Sequence, residues 1–311
     1  MAKYLVTGGA GFIGSHIVEA LVERGDAVRV LDNLTTGKQE NLEAVAGRFE
    51  FIEGDIRDPE TCARAAEGMD HILHEAALAS VVRSVEDPLL TNAINVTGTL
   101  NLLLAARDAG VKSFVIASSS AVYGDDPAMP KVEGREGRPL SPYAVSKFVD
   151  EKYAQAFHAL YGMNTVALRY FNVFGPRQDP FSHYAAVIPL FITKILRGER
   201  PIVFGDGEQS RDFIFVENVV RANIEAAGSA ASAGEVLNVA SGDGLTVNGL
   251  LVAVNEILGT KLEAIHADAR PGDIRHSTAD VSKSRRVLGF EPRISFLDGL
   301  RETAAWYKTR S

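Results

Sequence analysis

An apolar strand from Lys3 to Thr7, the glycine turn Gly8-Gly9-Ala10-Gly11-Phe12-Ile13-Gly14 and a helical run to Arg24 follow one another without a gap. That order constrains the fold more than any other stretch, because strand, tight turn and helix in succession open a βαβ unit of a parallel sheet. The glycines have separate roles. Gly8 makes the turn, Gly11 lets backbone amides approach a pyrophosphate, and Gly14 lets the helix lie against the strand. The pyrophosphate would rest on the positive end of the helix dipole, against the amides of Phe12 and Ile13. A second strand, Ala27 to Leu31, ends at Asp32, the spacing of a carboxylate that accepts hydrogen bonds from an adenosine ribose. Asp32 would repel a 2′-phosphate, so the residues point to NAD and not NADP.

Strands and helices go on alternating, as in a doubly wound, Rossmann-like α/β sheet. Phe49 to Glu53 ends at Gly54-Asp55-Ile56, where Asp55 and Ile56 can hold an adenine by one polar and one apolar contact. Asp70 to His74 is the next strand, and its exit, with Ala76 and Ala77, is small enough to let a dinucleotide pass. His71 and His74 suggest a metal pair, but residues three apart in a strand point to opposite faces, so no metal site is expected. Phe114 to Ala117 is a buried strand that runs out into Ser118-Ser119-Ser120 at its carboxyl end, where open α/β sheets place ligands. Shortly after, Ser141-Pro142-Tyr143-Ala144-Val145-Ser146-Lys147 sets a phenol and an ammonium at i and i+4, facing the same way.

The second half changes character after Arg169 to Pro176, where segments become shorter and richer in Gly, Pro and Arg. With 311 residues and 46% hydrophobic content the chain can bury a large core in two unequal lobes. The expected division is a dinucleotide lobe over 1–170, to which the chain returns near 212–240, and a smaller C-terminal α/β substrate lobe over 171–311. Arg211, after the Gly205-Asp206-Gly207 turn, and Arg270, in Arg270-Pro271-Gly272-Asp273, are either solvated charges or, with Asn172, a planar clamp on a second pyrophosphate. Pro88 to Ala109 reads as a long helix with Asn92 and Asn95, and Leu100, Leu103 and Leu104 along one face. That stripe is either core or, with the helix from Tyr143 to Tyr161, a four-helix contact between two copies of the chain. A last helix follows Ser295 as its cap. A net charge of −8 without a basic run argues against nucleic acid or an anionic membrane as partner. Cys62 is the sole cysteine, the first strand starts at Lys3, and the apolar run Val187 to Leu196 is too short to span a bilayer; a cytoplasmic protein is expected.

Five stretches in order, GGAGFIG at 8–14, SSSAVYG at 118–124, SPYAVSK at 141–147, RYFNVFGPRQ at 169–178 and SRDFIFVENVV at 210–220, resemble the extended short-chain dehydrogenase/reductase family. Within it they are most similar to the nucleotide-sugar 4-epimerases acting on UDP-N-acetylglucosamine and UDP-glucose. The resemblance runs over essentially the whole chain. It implies a seven-stranded NAD lobe, a smaller UDP-sugar lobe and commonly a homodimer. It makes Tyr143 the base, Lys147 its electrostatic partner and a holder of the nicotinamide ribose, and Ser119 the hydroxyl that orients the substrate. Asn33, Gly37 and Tyr170 match further cofactor positions, Asn95 one beside the active site. Asn172, Arg211 and Arg270 match the diphosphate contacts, Phe204 lies near where the uracil is held, and Val187 and Asp273 match further substrate positions. Ala79 is a departure, since many UDP-glucose 4-epimerases carry a lysine there that contacts the cofactor phosphate.

The implied chemistry explains the residue types. A tyrosine in water has a pKa of ~10, and bringing it near 7 takes about 4 kcal/mol of preferential stabilisation of the phenolate, which an ammonium and a positive nicotinamide can supply together. The phenolate takes the proton of the sugar 4-hydroxyl while hydride passes to NAD, and the resulting 4-ketone turns its other face and recovers the hydride. Family dehydratases carry an Asp-Glu pair after the serine; here those places are Ser120 and Ala121. Decarboxylases usually carry a glutamate in that segment, also absent, while a UDP-uronic acid epimerase, a dehydratase or reductase, and a dinucleotide-binding module without activity stand as alternatives. Seven residues after Arg270, where strict UDP-glucose epimerases have a bulky tyrosine, this chain has Ser277, leaving room for an acetamido group that Ser80 and Ser120 could bond.

Overall fold

The structure, a computed structural model, describes residues 1–180, 186–269 and 275–310. Strands β1 (Lys3–Thr7), β2 (Ala27–Asp32), β3 (Glu50–Glu53), β4 (His71–His74), β5 (Ser113–Ser119) and β6 (Thr165–Tyr170) lie in one parallel sheet. Three short strands, β7 (Asn172–Phe174), β8 (Ile202–Phe204) and β9 (Ser210–Phe215), lie outside it, and β10 (Val236–Val239) rejoins it at the edge. The order is β10-β6-β5-β4-β1-β2-β3. Winding runs outward in both directions from β1 and β4, so a crevice opens at their carboxyl ends, where such sheets bind ligands. The register lines those ends up: Thr7 pairs with Leu31 and His74, and Ser119 with Tyr170.

Both faces of the sheet are covered, which is why its strands read as apolar runs instead of alternating. Helix α1 (Phe12–Glu23) presses Ile17, Val18 and Leu21 onto one face. The other face is covered by α2 (Pro59–Ala66), and α3 (Val81–Glu86), α4 (Pro88–Thr91), α5 (Thr99–Asp108) and α6 (Pro142–Tyr161) follow on that side, with Cys62, Leu102, Leu103 and Phe157 in its core. Between α4 and α5 the helix expected over 88–109 loosens into a π-helical stretch, Asn92–Gly98, a feature common at functional sites. Pro88–Asp108 has the length and apolar composition to cross a membrane, and here it packs against α2 and α6 as a core helix does. Of its expected stripe, Leu103 is fully buried while Leu100 and Leu104 are half-buried.

The chain then builds a smaller lobe around α7 (Val187–Leu196), returns to the large sheet with α8 (Val216–Gly228) beside α1, and goes back. Strands β11 (Gly244–Thr246) and β13 (His276–Ser277) flank β9, with β7 also paired to β9, and β12 (Ile265–Ala267) pairs with β8. Helices α9 (Val247–Leu258) and α11 (Phe296–Lys308) close this lobe over Phe174, Phe213, Phe215 and Phe296, while α10 (Ser282–Leu288) lies by β10. The Ser295 hydroxyl caps α11 by accepting the Asp298 amide at 3.1 Å.

Candidate active site

Gly8 turns the chain at a positive φ of 66°, and a Cβ there would lie 2.7 Å from the Ala76 amide nitrogen, so the exits of β1 and β4 touch. At Gly14 a Cβ would fall 2.2 Å from the Gly8 carbonyl oxygen, which brings α1 directly onto the turn. Gly11 is the N-cap of α1 and offers no side chain to its first amides, those of Phe12 and Ile13 among them. Such an open helix start suits an anion. At the end of β2, Asp32 accepts the amides of Ala10 at 3.0 Å and Leu34 at 2.8 Å, one on each oxygen. Burial raises the pKa of this carboxyl and those amides pull it back. Gly37 closes over it, since a Cβ there would lie 2.8 Å from both carboxylate oxygens. Exposed Asn33 donates to Asp55 at 2.9 Å, and the Arg57 guanidinium holds the Asp55 carboxyl down to about 2. Ile56 is buried beside them. Ala76 and Ala77 are half-buried at the β4 exit and Ala79 is exposed. An uncapped helix start, a buried carboxylate with lone pairs to spare and two glycine approaches fit a dinucleotide with a free ribose diol.

Alternation along β5 splits the serines. Ser118 is buried and donates to Glu151 at 2.6 Å, whereas Ser119 and Ser120 are half-buried at the strand's end, Ser119 accepting the Ala121 amide at 3.2 Å. Helix α6 starts behind the Ser141 cap with Pro142 in its first turn, so Tyr143 and Lys147 project from its first two turns. Tyr143 is half-buried and Lys147 is buried, its ammonium 3.6 Å from Asp150. Asn95, in the π-helical stretch, accepts the Leu78 amide at 2.8 Å and donates to Ser146 at 2.9 Å, tying the β4 exit to α6. Tyr170 ends β6, donates to Glu75 at 2.6 Å and accepts the amide of Asn223 at 2.7 Å.

In the smaller lobe Asn172, Val187, Phe204 and Arg211 line one cleft of about 310 Å³, with Gln209 and Phe213 among its other lining residues. Asn172 donates to the Asp212 carbonyl at 3.3 Å, and Ser277 pairs in register with Arg211. The Ser80 hydroxyl is taken up as the cap of α3. Arg270 and Asp273 lie outside the described residues. His71 and His74 have separate partners: His71 stacks on Tyr4 and meets Ser113, while His74 sits between the hydroxyls of Thr7 and Thr99.

The family model described as the NAD dependent epimerase/dehydratase family matches residues 4–240. The chain belongs to that family. Its NAD dependence agrees with the dinucleotide cradle at Gly8–Gly14 and Asp32. Across its whole length the chain is similar to a putative UDP-glucose 4-epimerase of Methanocaldococcus jannaschii, 40% identical over 309 residues that cover 99% of each chain. Among solved structures it resembles the UDP-N-acetylglucosamine 4-epimerase of Methanobrevibacter ruminantium in complex with UDP-N-acetylmuramic acid, with a TM-score of 0.95 at 44% identity, covering 100% of this chain and 99% of that one. It also resembles the UDP-glucose 4-epimerase of Thermus thermophilus in complex with NAD, with a TM-score of 0.89 at 40% identity, covering 99% and 100%.

Motif reading did not reach the charged layer beneath the family's Tyr-Lys pair. Arg169 is buried against Glu151 at 2.7 Å and Glu136 at 2.6 Å, its guanidinium 4.8 Å from the ring centre of Tyr123. Burial pushes Glu75 and Asp150 up to about 7 each, Lys147 opposing both, and holds His74 down to about 3. The helical spacing from Lys147 to Asp150 and Glu151 was the available signal.

Proposed function

We propose that the protein is an isomerase that inverts carbon 4 of UDP-hexoses, interconverting UDP-N-acetylglucosamine with UDP-N-acetylgalactosamine and UDP-glucose with UDP-galactose. The supporting observation is the composition of the sheet's carboxyl edge. Tyr143 and Lys147 project from the start of α6, and β5 ends in Ser119 followed by Ser120 and Ala121, with no acid to expel water. NAD, held by the Gly8–Gly14 turn, Asp32 and Lys147, supplies the hydride acceptor and donor at carbon 4. Tyr143 removes and returns the proton of the 4-hydroxyl, Lys147 stabilises the phenolate, and Ser119 orients the sugar. Asn172 and Arg211 grip the diphosphate and Phe204 the base, so the nucleotide stays fixed while the sugar turns. Ser277 is the determinant of substrate size: beside Arg211 it leaves the space that a tyrosine would fill.

Proton NMR of the protein incubated separately with UDP-glucose and UDP-N-acetylglucosamine, without added reductant, is expected to show the carbon-4 isomer of each. Tyr143→Phe should reduce the rate by at least about a hundredfold, the scale of a lost general base, and an unimpaired variant would remove the mechanism. Ser277→Tyr should abolish turnover of UDP-N-acetylglucosamine while sparing UDP-glucose; equal activity on both would remove the size gate.

The proposed active form is a homodimer joined through α4–α6, in the cytoplasm. Leu89, Val145, Leu160 and Tyr161 are 83%, 47%, 75% and 50% exposed on α4 and α6, apolar surface that a second copy would cover. Sedimentation equilibrium at micromolar protein should give twice the chain mass, and Leu89→Lys with Val145→Glu should halve it.

A further inference from the structure

Among the described residues Lys147 makes one ion pair, with Asp150 one turn further along α6, at 3.6 Å; the two side chains are 3% and 0% exposed. Neither carboxylate oxygen of Asp150 meets a hydrogen-bond partner. Buried polar atoms rarely go unpaired, and a carboxylate in that position faces the ammonium for a reason other than filling space.

Every neighbouring charge can be assigned. On the same helix Glu151 turns the other way, onto Arg169 and Ser118. From α5 the Thr99 hydroxyl faces Asp150 and favours its ionised form, while its oxygen also meets His74 at 2.9 Å. His74, on β4, is kept uncharged by burial. Glu75, at the β4 exit, is held by Tyr170 and feels the charge of Lys147. Tyr143, half-buried, stands one turn before Lys147, so that Tyr143, Lys147 and Asp150 follow one another at i, i+4 and i+7 along one face of the helix. Along that face Lys147 therefore lies between a half-buried phenol and a fully buried carboxyl.

We infer that Asp150 is a positioning residue for the epimerase reaction, its carboxylate anchoring the Lys147 ammonium on the core side and setting how much positive charge reaches Tyr143. This rests on the proposed role of Tyr143 and Lys147. With Asp150 ionised, the pair presents Tyr143 with a partly cancelled charge; with Asp150 protonated, the ammonium acts alone. Burial pushes the Asp150 carboxyl up to about 7, so that exchange falls in the neutral range. As pH drops, Lys147 gains influence over Tyr143 just as protons begin to compete for the phenolate, which flattens the acidic limb of the rate profile.

The deciding experiment compares the pH dependence of kcat for the NAD-loaded holoenzyme, parent against Asp150→Asn. The acidic limb should steepen and move down by about 0.5–1 pH unit, less than the 1–3 units of a directly facing charge because Asp150 acts through Lys147. A limb that stays in place while the variant merely melts earlier overturns the inference and leaves Asp150 a structural group. Should the Asn variant fail to fold, Asp150→Ala, which leaves no buried amide to satisfy, is read the same way. Ultraviolet difference absorbance of the phenolate, with Tyr143→Phe as the blank, gives the same shift without turnover. A protein that never epimerises but shows that shift would thus refute the proposed function and not the Asp150–Lys147 coupling.

Discussion

Replacing Glu75 by glutamine should make the protein more stable, and only at the alkaline end. The carboxyl of Glu75 accepts the Tyr170 hydroxyl at 2.6 Å, and burial pushes it from 4.5 up to about 7. A raised value means that the folded chain holds the proton more tightly than the unfolded one. The stabilisation is complete below about 4.5 and is lost as pH rises through about 7. That gap, at about 1.4 kcal/mol per pH unit, gives a ceiling of about 3.5 kcal/mol above pH 8. Glu75 is half-buried, so screening by water brings the expected cost to roughly 2 kcal/mol. The glutamine side chain keeps the acceptor for Tyr170 and carries no charge to desolvate. Thermal melts at one fixed NAD concentration should agree within about 1 °C at pH 5 and diverge at pH 8, the variant melting about 3 °C higher. An offset that does not vary with pH would show that Glu75 does not titrate in this range.

Gly14→Ala should lower NAD affinity at least about tenfold, because the added methyl would sit 2.2 Å from the Gly8 carbonyl oxygen and must drive α1 off the turn. The roughly 1 kcal/mol that alanine gains in a helix is smaller than the ~1–3 kcal/mol of overpacking, so the melting temperature should fall as well; fluorescence titration with NAD showing unchanged affinity would contradict the cradle. Cys62 is fully buried, donates to the Ile56 carbonyl at 3.2 Å, and has its thiol pushed up to about 12 by burial. It should resist an aromatic disulfide reagent in the native protein and react at once in denaturant, and native labelling at the rate of a free thiol would refute its place in the core.

The Rossmann half of the fold was legible because its signals are local. Gly8, Gly11 and Gly14 announce a turn that only a strand and a helix in sequence can frame, and continuous apolar runs such as Phe114 to Ala117 mark strands covered on both faces. The smaller lobe was legible only in outline. Its strands have three residues at β7, β8, β11 and β12 and two at β13, too few to show a period, and its core depends on phenylalanines from β7, β9 and α11 that meet only in three dimensions. The π-helical stretch at Asn92–Gly98 had no sequence mark, since its residues also suit an ordinary helix; it puts Asn95 against both Leu78 and Ser146.

Asp150 and Glu151 show where such reading stops. They are adjacent, both acidic, and both fully buried, yet a helix turns about 100° between consecutive residues and sends them in different directions. Glu151 meets the guanidinium of Arg169 through both oxygens and also takes the Ser118 hydroxyl, so its charge is fully occupied in joining β5 and β6 to α6. Asp150 faces the Thr99 hydroxyl and the ammonium of Lys147, the group proposed to serve the cofactor ribose and Tyr143. One carboxylate is therefore fixed by geometry while burial leaves its neighbour able to exchange a proton near neutral pH, beside the group whose charge the proposed reaction would use. Composition alone would rank the two as equivalent; only the direction of each side chain separates the acid bound to Arg169 from the one proposed to couple to the chemistry.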